Sequence, residues 1–114
     1  MTSMKPPAGY PVMFGVVLTT LITAIVHLSF GIPLFVLNGL GYLGLLVLLY
    51  APVAALERFR PVVRYVLIGY TVLTIVLYFV MAPLMAVGLL TKAVELVLVI
   101  LLAIEASRAR RTAP

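Results

Sequence analysis

Residues 6–56 contain no Asp, Glu, Lys or Arg. A single membrane span needs roughly 20 apolar residues, so a charge-free run of this length must fold back on itself. Composition agrees: 65% of the chain is hydrophobic, 10% is charged, and the mean hydropathy is +1.30. An ordinary soluble domain is about a quarter charged. The sequence therefore describes an integral membrane protein. The absence of cysteine removes disulfides, thiolate metal sites and thiol catalysis.

The breaks in hydropathy predict an all-α transmembrane four-helix bundle forming a single domain. Residues 1–11 are rich in Pro and Gly, and Tyr10 suits the membrane interface. A first span is expected over residues 12–30. It is longer than a signal-peptide core and no A-x-A site follows it, so it reads as retained. Gly31 and Pro33 break it, and Pro33 can open a second span over residues 33–56, because a proline at the first helical position loses no hydrogen bond. A rival turn at Asn38-Gly39 would instead leave Pro33 inside the first helix. The polar loop 57–60 leads into a third span over residues 61–82, opened by Pro61 and closed by Pro83. A fourth follows over residues 87–107. The sequence shows no internal repeat.

Lys5, then Arg58, Arg60 and Arg64, then Arg108, Arg110 and Arg111 fall on one side of the membrane if there are four spans. The positive-inside rule then predicts an antiparallel up-down bundle with both termini and the central loop in the cytoplasm, in the inner (plasma) membrane of a prokaryotic cell. The six arginines should meet anionic lipid headgroups. This excess of positive charge does not require nucleic acid. Glu105 with Arg108, and Glu57 with Arg58 and Arg60, read as boundary ion pairs.

In such a bundle, position along a helix becomes depth. His27, Asn38, Tyr78, Lys92 and Glu95 then share one layer in the outer third of the bilayer, with Thr74 close by. Lys92 and Glu95 are spaced i, i+3 on one helix face, and ionisable groups within spans usually face the bundle interior. One reading is a proton- or ligand-handling site. The other starts the fourth helix near Thr91 and lets Lys92 extend to the headgroups. His27 could in principle ligate haem iron or chlorophyll magnesium, although a lone helical histidine is more often a structural donor, and no cofactor is expected. Gly41, Gly44, Ala51 and Ala55 fall within roughly 80° of one another on a helical wheel and predict a packing stripe.

In length and span count the chain is similar to the small multidrug resistance exporters. That resemblance implies a four-helix transport fold whose activity depends on a glutamate embedded in the first helix. Here the first span holds no acidic residue, and Glu95 is in the fourth. A second resemblance rests on His27-Leu28 with Gly31, on the run from Leu37 to Gly44 (LNGLGYLG), on the basic loop, and on Lys92 with a polar residue at 95. In these features the chain resembles an uncharacterised group of small four-span prokaryotic proteins, which implies a fold but no activity. The expected function is a non-enzymatic membrane protein: an accessory or structural subunit of a larger complex, or a self-associating bundle. The alternatives are a small proton-coupled transporter using Glu95, Lys92 and His27, and a pigment- or haem-binding subunit.

Overall fold

A computed structural model describes residues 6–81 and 85–112. The described chain is helical and contains no strand. Its elements are α1 (Tyr10–Ser29), α2 (Pro33–Tyr50), a single-turn α3 (Ala54–Glu57), α4 (Arg60–Met81) and α5 (Ala86–Thr112). All but α3 are long and apolar enough to cross a membrane, so the chain has the architecture of a multi-pass membrane protein. Lys5 and the proposed stop at Pro83 lie outside the described residues.

The helix boundaries follow from proline and glycine chemistry. Pro11 occupies the first turn of α1. At the other end Gly31 takes φ +68°, a conformation that costs glycine little, and Pro33 opens α2. The break at residues 31–33 is therefore the real one, and Asn38 and Gly39 both lie within α2. The second span ends at Tyr50 rather than at Leu56. Pro52 pushes the residue before it out of the helical region, and Ala51 accordingly sits at ψ 130°. Arg60 then turns back, and its Nη2 donates to the Ala51 carbonyl at 2.7 Å, satisfying an acceptor at the end of α2. At its far end α5 continues to Thr112, past the expected stop at Ser107.

The long helices close a ring: α1 packs on α2 and α5, and α4 packs on α5 and α2. The molecule measures 48 × 22 × 20 Å, enough to cross a hydrocarbon layer of about 30 Å. Val16, Ala24, Tyr42, Leu49, Leu67, Leu98 and Leu102 form the core. Large apolar side chains such as Leu18, Ile25, Val47, Val62, Val72 and Ile100 point outward, as expected where the surrounding solvent is lipid.

The predicted small-residue stripe does not form. Gly41 is a seat for Tyr70, whose ring packs where a Cβ would stand, and Gly44 faces open space. Ala51 caps α2 and Ala55 belongs to α3. The Pro52 break removes both alanines from the helix whose wheel they were placed on. The close helix approach is at Gly39 instead, where an added Cβ would lie 2.9 Å from the Ala24 carbonyl of α1.

Candidate functional site

Thr23 and His27 are one turn apart on α1, and Lys92 and Glu95 are spaced i, i+3 on α5. The packing of α1 on α5 brings the two pairs together. Glu95 is fully buried. Its Oε1 accepts from Lys92 Nζ at 2.8 Å, and its Oε2 accepts from the Thr23 hydroxyl at 2.5 Å. His27 Nδ1 donates to the Thr23 carbonyl at 2.7 Å, which fixes the ring and turns Nε2 toward Glu95 Oε2, 3.9 Å away. A carboxylate taken out of water costs several kcal/mol unless it is paired and hydrogen-bonded. Here it has a cation and a hydroxyl. Lys92 is 7% exposed and lies well inside a helix that begins at Ala86, so it pairs within the bundle rather than reaching for headgroups.

This cluster forms one side of a cavity of about 740 Å³. The end of α1, the start of α2, the end of α4 and the start of α5 all line it, and it is called the turn end below. His27, Asn38, Tyr78 and Lys92 share its wall, with Glu95 bonded behind them; Tyr70, Thr74 and Thr91 add further polar groups. Those hydroxyls are committed. Tyr70 donates to the Asn38 carbonyl at 2.7 Å, Thr74 to the Tyr70 carbonyl at 2.9 Å, and Thr91 to the Val87 carbonyl at 2.7 Å. The Tyr78 hydroxyl accepts from the Met85 N–H at 3.2 Å, and its ring lies 5.1 Å from Lys92 Nζ. Behind the wall, Tyr42 packs its ring 5.9 Å from His27 and 4.8 Å from Tyr70. Its buried hydroxyl has no hydrogen-bond partner among the described residues. The remaining wall is apolar, with Phe30, Phe35, Leu37, Leu73, Leu77 and Met81 prominent.

A second polar network lies at the opposite, basic end. Arg64 and Glu105 were expected at the membrane boundary, the first facing headgroups and the second pairing with Arg108. Both are instead buried. Arg64 Nε donates to Glu105 Oε1 at 2.9 Å, and the Tyr50 hydroxyl donates to Oε2 at 2.6 Å. The reason is tertiary: Glu105 faces α4 and α2 rather than the next turn of its own helix. A smaller pocket of about 290 Å³ adjoins this network, lined in part by Tyr10, Glu57, Arg60 and Arg64. Arg58 covers the Phe59 ring at 4.7 Å, Arg110 donates to the Tyr65 hydroxyl at 2.8 Å, and Arg108 and Arg111 are exposed. Leu49, Leu67, Leu98 and Leu102 belong to the core, and the last two lie between Glu95 and Glu105 along α5.

Sequence reading missed Thr23, Tyr50 and the buried partnership of Arg64. Thr23 carried a signal, standing four residues before His27 on the same helix face. Among the described residues there is no group of three or more His, Cys, Asp or Glu side chains fit to hold a metal. No protein-family model, no curated protein and no solved structure matches this chain.

Proposed function

We propose that the chain is a non-enzymatic binding protein of the prokaryotic inner membrane, with its ligand site in the outer leaflet. In this reading the helices alternate in direction and both termini lie in the cytoplasm. The linings of the two pockets, each built from helix ends that alternate along the chain, support the antiparallel arrangement. The exposed Arg58, Arg108, Arg110 and Arg111 support the orientation under the positive-inside rule and suit anionic headgroups.

One observation carries the binding reading. An apolar cavity of about 740 Å³ ends on a buried His27–Glu95–Lys92 cluster. Mostly apolar walls with a few convergent polar groups are the usual make-up of a small-molecule site. Short connections leave no room for a soluble catalytic domain, and the apolar outer faces suit an accessory place in a larger complex or a self-associated bundle. Native mass spectrometry of the full chain released from mild detergent tests the site. A small-molecule adduct is expected on the wild type and is lost when Leu77→Trp fills the cavity. A wild type carrying no adduct refutes the reading.

Proton-coupled transport is the second reading, favoured by the approach of His27 Nε2 to Glu95 Oε2 at 3.9 Å. The two groups face each other inside the bundle with no side chain between them among the described hydrogen bonds. Glu95→Gln should abolish proton-coupled flux in vesicles while leaving the helical fold intact; unchanged flux excludes this reading. A haem or chlorophyll on His27 is disfavoured by the same geometry, because the nitrogen left for a metal is turned to Glu95.

A further inference from the structure

We infer that the cavity takes a quinone: a flat ring bearing only hydrogen-bond acceptors, with an apolar tail. The inference rests on the binding reading above and adds the ligand's chemical class. It comes from counting which polar groups on the wall still have capacity.

The hydroxyls of Tyr70, Thr74 and Thr91 already donate to backbone carbonyls. Both oxygens of Glu95 accept bonds, and His27 Nδ1 donates to the Thr23 carbonyl while its Nε2 is turned toward Glu95 at 3.9 Å. What remains is donors. Lys92 Nζ carries three N–H groups and gives one to Glu95. The side-chain amide of Asn38 makes no N–H donation among the described residues; only its Oδ1 is engaged, 3.5 Å from the Thr74 hydroxyl. A ligand that completes this set must accept hydrogen bonds.

Charge narrows the choice. Lys92 is already neutralised by Glu95 within a buried pair. A fatty-acid carboxylate would bring an uncompensated negative charge into the same low-dielectric space, where isolated charge is heavily penalised. A carbonyl accepts from Lys92 and Asn38 and leaves the net charge unchanged. Shape narrows it further. Phe30, Phe35, Tyr70 and Tyr78 supply ring faces and edges around the cavity, suited to a flat π-system. Leu37, Leu73 and Met81 line it and are 66%, 57% and 72% exposed. The cavity thus opens sideways through an apolar mouth, where a membrane-dissolved molecule enters and its tail remains in lipid. The inference concerns binding; no electron transfer is assigned.

The test uses the full-length chain in nanodiscs of synthetic phosphatidylcholine with tritiated decylubiquinone as the probe. Binding above that of empty nanodiscs should saturate at one molecule per chain. Leu77→Trp and Leu37→Trp, from opposite walls and checked for helical content by circular dichroism, should each return it to the empty-nanodisc level. Asn38→Leu should weaken it by about tenfold, the value of one neutral hydrogen bond. Oleate at equal concentration should not displace the label. Displacement by oleate, or binding that survives both tryptophan variants, overturns the quinone assignment. If the label does not bind while the native mass spectrum still shows an adduct, the quinone assignment falls and the cavity reading stands. If neither is seen, both fall.

Discussion

Glu95 and Glu105 lie on the same helix, about 15 Å apart along its axis, and both are fully buried. Their surroundings differ. Glu105 meets a guanidinium from α4 and a phenol from α2, both long side chains set by the packing of separate helices. Glu95 meets a lysine from its own helix and a threonine from α1, with a histidine standing off at 3.9 Å. Arginine's planar donor fork is pre-organised for carboxylates, whereas lysine is a point charge on a flexible stem. Glu105 ties three helices into one end of the bundle. Glu95 adjoins a large cavity and groups with unused donors. The first arrangement suits a structural clamp and the second a site.

The largest test of this contrast is Arg64→Ala. It leaves Glu105 buried without its cation and should destabilise the protein by about 3–5 kcal/mol, read as a fall in thermal unfolding temperature in detergent. The double variant Arg64→Met with Glu105→Leu should recover most of that loss, since a buried ion pair is often replaceable by apolar residues. A loss below about 1 kcal/mol for Arg64→Ala, the range of exposed ion pairs, would mean that Arg64 is not clamping buried charge.

Lys92→Met should cost less, about 2 kcal/mol, because Thr23 still donates to Glu95 and His27 remains beside its Oε2 as a second polar neighbour. Combining it with His27→Leu removes that neighbour, so the double loss should exceed the sum of the single losses. Strict additivity, measured by the same melts, would show that His27 and Glu95 are not coupled.

Tyr50→Phe deletes one hydrogen bond to a charged acceptor and should cost about 1.5–3 kcal/mol, with helix content unchanged by circular dichroism. The glycines of α2 give the smallest and most discriminating pair. Gly41→Ala collides with Tyr70 and should lower stability by about 1–3 kcal/mol through overpacking. Gly44→Ala meets open space inside a helix and should raise it by about 0.5–1 kcal/mol. Equal effects at the two positions would restore the packing stripe that the fold breaks up.

Much of the architecture was legible before any helix was placed. In lipid every backbone polar group must be satisfied within its own segment, so spans and their breaks are written locally in hydropathy, glycine and proline. That is why Gly31 and Pro33 marked the first turn and Pro61 the start of α4. Pro52 carried the same kind of signal, yet its apolar neighbours hid it inside a longer predicted span. The i, i+3 spacing of Lys92 and Glu95 was equally local, and it put the two on one face of α5. The partners from other helices were not local. Thr23 reached Glu95 because α1 packs on α5. Arg64 left the headgroups because Glu105 turns toward α4, with Tyr50 completing the pair from α2. Nothing in the spacing of Tyr50, Arg64 and Glu105 sets the rotation of one helix against another; close packing of the assembled bundle does. The sequence by itself determined four spans, their breaks and which helices carry the costly polar groups. The tertiary structure decided which of those groups became a clamp and which came to face a cavity.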